Sequence, residues 1–154
     1  MITVKKPLTI LMADDDEDDR LLAREAIMEG RVINEVHFVE DGDQLMAYLR
    51  GSEEYSDRIR YPLPGLILLD LNMPKKDGRT ALAEIKQDKV LRRIPVVILT
   101  TSRAEEDMLK GYDLGAASYI TKPVTFEALV DLMQTLGKYW VEFVELPRCE
   151  TIPM

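Results

Sequence analysis

Two kinds of apolar segment alternate along this chain. Leu8 to Ala13 (LTILMA), Glu35 to Val39 (EVHFV), Leu66 to Leu69 (LILL), Val96 to Thr100 (VVILT) and Ser118 to Ile120 (SYI) are short and rich in β-forming residues. Three of them are nearly unbroken apolar runs, the pattern of parallel strands buried on both faces. Between them lie stretches of helical character: Asp18 to Glu29, Gly42 to Arg50, Thr80 to Gln87, Glu105 to Leu114, and Phe126 onward. In the first, Leu22, Ala23, Ala26 and Ile27 form one apolar face, with Asp16 placed to cap the helix and acids in its first turn. Five strands alternating with five helices predict right-handed βαβ crossovers. The expected fold is α/β, a doubly wound five-stranded parallel sheet with helices on both faces. Folds of this kind place their chemistry at the carboxyl ends of the strands.

Those ends carry a consistent set of polar residues. The first strand runs into Ala13-Asp14-Asp15-Asp16, the third into Asp70-Leu71-Asn72-Met73-Pro74, the fourth into Thr100-Thr101-Ser102, and the fifth into Thr121-Lys122-Pro123. Taken singly, each is an ordinary turn or cap residue. Taken together they bring three carboxylates, a hydroxyl and an ammonium to one crevice. Carboxylates gathered in a crevice repel one another, and a hard divalent cation such as Mg²⁺ relieves that repulsion. Asp70 is then a nucleophile for phosphoryl transfer, with Mg²⁺, Lys122 and the Thr100 hydroxyl neutralising charge on the transferred group.

Composition narrows the function classes. The chain has 154 residues, one domain's worth, and a net charge of −8. That surplus argues against nucleic acid, since the only basic groupings are Lys5-Lys6, Lys75-Lys76 and Arg92-Arg93. No apolar run approaches the roughly 20 residues of a membrane span, and no secretory signal opens the chain. The lone Cys149 fits a reduced compartment, so a cytoplasmic location is expected, with no membrane partner.

The combined motifs closely resemble the response-regulator receiver family of two-component signalling, over about Leu8 to Leu136, with the extended helix and tail from 137 to 154 beyond that core. The resemblance implies a flavodoxin-like sandwich and a signalling module rather than an enzyme. It implies that Asp14 and Asp15 are the acidic pair, with Asp15 a direct Mg²⁺ ligand, and that Asp70 is both phosphoacceptor and ligand. The Asn72 carbonyl completes the metal site. Thr100 is the switch hydroxyl, Tyr119 the aromatic that moves with it, and Lys122, ahead of a cis peptide to Pro123, the phosphate-contacting lysine. Thr101 is bulkier than the residue many receivers carry there, and Asn72 and Ser102 hold the two positions that modulate hydrolysis.

A narrower resemblance, through LTTSRAEEDMLKGYDLGAASYITKP, Tyr139-Trp140, Val144 to Pro147 and the polar connection Gly51 to Gly65, is to phytochrome-associated single-domain regulators. It implies a sensor histidine kinase, such as a phytochrome-type photoreceptor kinase, as donor. A downstream protein or phosphotransfer protein is then the recipient of the signal.

The last helix has two apolar stripes. Phe126, Leu129, Val130, Met133, Gly137, Trp140, Val141 and Val144 form the face expected on the sheet. Leu132, Leu136, Tyr139, Phe143 and Leu146 repeat at spacings of 4, 3, 4 and 3 on another side. Either a second copy covers this stripe, giving a homodimer, or the tail from Pro147 to Met154 folds back over it.

Two rival chemistries fit less well. A haloacid-dehalogenase-like phosphatase needs a second Asp two residues after its nucleophile, where this chain has Asn72. A flavodoxin-like cofactor binder needs a phosphate-cradling loop after the first strand, where this chain has six consecutive acids, Asp14 to Asp19. A degenerate receiver used only for binding would lack the complete site.

Overall fold

A computed structural model describes residues 8–29, 34–71, 73, 75–100, 105, 108, 115–122 and 125–138. Its strands are β1 (Leu8–Ala13), β2 (Asn34–Val39), β3 (Leu66–Asp70), β4 (Val96–Thr100) and β5 (Ser118–Thr121). They form one parallel sheet in the order β2-β1-β3-β4-β5. The helices are α1 (Glu17–Glu29), α2 (Gly42–Arg50), α3 (Gly78–Gln87) and α4 (Phe126–Lys138). Glu105 and Met108 are helical as well, and the rest of the segment expected to form a helix from Glu105 to Leu114 lies outside the described residues.

Side chains alternate across a strand, so each face of the sheet draws on every second residue. Leu11, Ala13, Ile67, Leu69, Val96 and Ile98 face α2 and α3, meeting Leu45, Leu49, Leu82 and Ile85. Ile10, Met12, Leu66, Leu68, Val97 and Leu99 face α1 and α4, meeting Ala23, Ala26, Ile27 and Met133. The β3 strand is buried along its whole length, as its unbroken LILL run requires.

Local signals set the element ends. Asp16 Oδ1 accepts from the backbone N–H of Asp18 and Asp19, so α1 starts one residue earlier than the pattern suggests. Asp41 caps α2 by accepting from Gln44 N–H, and Gly51 ends that helix at φ 67°. Asp77 accepts from Thr80 N–H, which moves the start of α3 back from Thr80 to Gly78. Gly42 is required for a different reason: a Cβ there would overlap the Lys76 carbonyl where the loop after β3 crosses the start of α2.

The connection from Gly51 to Gly65, polar in sequence, is anchored to the domain by a few of its residues. It contains a 3₁₀ turn (Glu53–Tyr55) and buries Tyr55 and Pro64. Tyr55 and Tyr61 join Tyr48 of α2 in an aromatic cluster with ring centroids 5.1 to 5.8 Å apart. The Arg58 guanidinium donates to the Tyr48, Leu49 and Tyr61 carbonyls, capping the end of α2 from outside. Among the described residues no helix is long and apolar enough to cross a membrane.

Candidate functional site

Strand register brings the strand-borne residues of the site together. Ala13 pairs with Leu69, so Asp14 and Asp70 stand side by side at the ends of neighbouring strands. Thr100 pairs with Thr121, which puts Lys122 one residue beyond the end of the sheet. Asp14 continues the alternation of Ile10 and Met12, Asp70 that of Leu66 and Leu68, and Lys122 that of Ile120. All three therefore fall on the side of the sheet covered by α1 and α4.

The Lys122 ammonium sits at the centre of this group. Its Nζ donates to Asp14 Oδ2 at 2.8 Å, to Asp19 Oδ2 at 2.8 Å and to Asp70 Oδ2 at 3.1 Å. Asp14 is fully buried and Asp70 nearly so, while Asp15 beside them is exposed. One carboxylate oxygen from each of Asp14, Asp15 and Asp70 lies within 4.8 Å of the others. Four carboxylates around one ammonium leave a negative surplus, and an all-oxygen donor set of this kind suits a hard divalent cation. Asp14, Asp15 and Asp70 would hold it.

Burial acts on these groups in opposite senses. It pushes the Asp14 carboxyl up to about 6, against the hydrogen bonds from Lys122 and from the Asp16 N–H, which favour the ionised form. For Lys122 burial alone would lower the pKa. The bonds to Asp14 and Asp19 and the charges of Asp14 and Asp70 outweigh it and hold the ammonium above the ordinary lysine range. Lys122 is accordingly a fixed positive charge and not a proton donor.

Two residues of the site escaped the sequence reading. Asp19 reads in the sequence as one of several acids complementing the start of α1, yet it bonds Lys122. A signal was available, because Asp19, Ala23, Ala26 and Ile27 follow helical spacing, so the carboxylate continues the buried face by one turn. Arg20 was not singled out at all. Its guanidinium donates to the Asp14 carbonyl at 2.8 Å and pairs with Glu40 at 3.1 Å, tying α1 to the ends of β1 and β2.

Other expected residues divide as follows. Tyr119, on β5 opposite Ile98, is half-buried against the core on the α2 and α3 side. Asn72, the Thr100 side chain, Thr101, Ser102 and the Lys122-Pro123 peptide lie outside the described residues. So do the Leu136 side chain and all of Tyr139, Phe143 and Leu146. Two placements need correction. Leu132, assigned to the second stripe of the last helix, packs partly against this chain's own core with Leu129 and Val130. Leu22, read as part of one apolar face with Ala23, Ala26 and Ile27, is 40% exposed at the edge of that face. Both line a cavity of about 50 Å³ between α1 and α4 that Lys122 and Asp19 also border. The two helices do not close fully over the strand ends, and each leaves a leucine at the gap.

Comparison with known proteins agrees with this geometry. Residues 10–134 match the family described as the response regulator receiver domain. Response regulator Rcp1 of Synechocystis sp. is 43% identical over 141 residues, 92% of this chain and 94% of that protein. The crystal structure of the phosphorylated cyanobacterial phytochrome response regulator RcpA superposes with a TM-score of 0.81 at 43% identity, covering 93% of this chain and 100% of that one. The Mn²⁺-bound form of Rcp1 does so at 0.77 and 42%, covering 92% and 100%. With a site, a sheet order and a sequence that all agree, the chain belongs to the response-regulator receiver family, and the proteins it is similar to include phytochrome response regulators.

Proposed function

We propose that this chain is a phosphorylation-dependent switch of a phytochrome-type pathway, with Asp70 as its phosphoacceptor. The observation that carries the reading is the Lys122 ammonium bonded to Asp70 and Asp14 beside a cluster of three carboxylates at the strand ends. Mg²⁺ held by Asp14, Asp15, Asp70 and the Asn72 carbonyl would supply charge neutralisation at the phosphoryl oxygens. An Asp70 carboxylate oxygen attacks phosphorus, the P–N bond of the kinase phosphohistidine breaks, and the imidazole leaves with the electron pair. Lys122 holds a phosphoryl oxygen in place as the bond forms. The chemistry is confined to the protein's own phosphorylation and its hydrolysis.

Phosphate adds roughly −1.5 to −2 charge and three acceptor oxygens, which draw the Thr100 hydroxyl and Lys122 inward. Tyr119 follows Thr100 and changes the surface near β5, where a downstream protein or phosphotransfer protein reads it. The donor is a sensor histidine kinase of phytochrome type, in keeping with the relatives, and the exchange takes place in the cytoplasm. The test is incorporation of radiolabel from acetyl phosphate. Label is expected in the wild type with Mg²⁺, and none in Asp70→Asn or in excess EDTA. Equal labelling of Asp70→Asn would refute the assignment.

The single receiver domain would pair with a second copy through its last helix, along Leu136, Tyr139, Phe143 and Leu146. This part rests on the heptad-like spacing in the sequence. Light scattering at micromolar concentration should show a dimer that Phe143→Asp converts to a monomer. A monomeric wild type, phosphorylated or not, would end the idea.

A further inference from the structure

An ammonium has three N–H donors, and Lys122 commits one to each of three carboxylates. Asp14 and Asp70 belong to the cluster that would hold the cation. Asp19 does not: it stands on the first turn of α1, outside the group of oxygens gathered within 4.8 Å. Its side chain is 35% exposed, against 0% for Asp14 and 7% for Asp70.

We propose that Asp19 is a positioning residue that holds Lys122 in the resting state through the bond that yields when a phosphoryl group arrives, and so sets the affinity of the site for that group. The proposal rests on Asp70 being the phosphoacceptor. A phosphoryl oxygen on Asp70 is a fourth acceptor competing for three donors. Asp14 has no access to water, and losing Lys122 would leave a buried carboxylate without its cationic partner. Asp70 carries the new group and keeps the lysine close to it. Asp19 alone of the three can be rehydrated, so its bond is the least costly to release. Its charge also acts directly, since a carboxylate bonded to the same ammonium as Asp70 repels a phosphoryl group on Asp70. Both effects have the same sign: Asp19 holds the site below its full affinity for phosphoryl and favours the resting state.

The test uses beryllofluoride, an analogue of the phosphoryl group, titrated at saturating Mg²⁺ with fluorescence or calorimetric detection. Asp19→Asn keeps the shape and removes the charge. Its affinity for beryllofluoride should rise about three- to tenfold, the size expected for removing a partly solvated like charge at short range. Its Mg²⁺ affinity in the absence of the analogue should fall a few-fold, because negative charge has been taken from the cation's surroundings. Opposite shifts separate positioning from simple loosening, which would weaken both. Asp19→Glu, which keeps the charge, should bind the analogue within about twofold of the wild type. Unchanged or weaker beryllofluoride binding in Asp19→Asn would overturn the proposal. If Asp70→Asn bound the analogue as well as wild type, the phosphoacceptor assignment would fall instead.

Discussion

On the α2 side of the molecule, the Tyr48 hydroxyl donates to the Pro62 carbonyl at 2.9 Å, and Arg58 spreads three hydrogen bonds over backbone carbonyls. At the carboxyl ends of the strands, Asp14, Asp19 and Asp70 share one ammonium, with the Asp15 carboxylate beside them. Both regions bury polar atoms against the same sheet. In the first each of these donors meets a backbone carbonyl, so the polar atoms are paired as they are covered and the packing adds stability. In the second, negative charge outruns positive, so the fold holds an arrangement that only a cation or a change of protonation relieves. The α2 flank is built to keep the domain folded, and the strand ends are built to respond.

Tyr48 offers the harshest test of that contrast. It is 1% exposed and touches Tyr55 and Tyr61. Tyr48→Ala should cost about 3–5 kcal/mol, by analogy with large aromatic truncations. Urea denaturation would measure it, while Mg²⁺ affinity in the folded fraction stays near wild type. A comparable loss of Mg²⁺ affinity would show that the two regions are coupled and not separate.

Arg58→Met tests the same flank more gently. It keeps the aliphatic stem and removes the guanidinium, leaving the Tyr48 carbonyl with the Gly51 N–H alone and taking the Arg58 donors from the Leu49 and Tyr61 carbonyls. A loss of about 1.5–3 kcal/mol is expected from charge-assisted hydrogen bonds of this kind. An unchanged denaturation midpoint would mean that the loop is held by its tyrosines alone.

The smallest effect concerns protons at the strand ends. An Asp carboxyl raised from 3.8 to about 6 binds its proton more tightly in the folded protein than in the unfolded chain. Without metal, its contribution to stability is therefore greatest below pH 3.8 and declines as pH rises toward 6, after which it is level. A cation needs the ionised form, so its apparent affinity should climb up to about tenfold per pH unit below 6 and flatten above 7. One proton accounts for no more than about 1.4 kcal/mol per pH unit. Calorimetric Mg²⁺ titrations from pH 5 to 8 would show this, and a flat profile would mean that Asp14 is already ionised throughout.

Much of this was legible in the order of residues. Strand identities follow from short β-rich runs, and the position of Asp14, Asp70 and Lys122 at the ends of those runs points to one crevice. Element starts were off by one or two residues at α1 and α3, where the capping side chain and not the apolar period decides the first turn. The connection between α2 and β3 is polar in sequence, and the burial of Tyr55 within it is not legible there, because it depends on the packing of Tyr48 and Tyr61 and on Arg58 bonding across the loop.

What the sequence determined by itself was therefore the alternation of elements, the sheet they imply and the chemistry available at its edge. These are periodic or local properties, fixed by which residue follows which. Tertiary structure decided which carboxylates share Lys122, since that depends on the register between β1 and β3 and on the angle at which α1 enters. A helix period and a strand period each say which side a residue faces. Only their packing brought Asp19, a residue of α1, within 2.8 Å of a lysine 103 positions later in the chain.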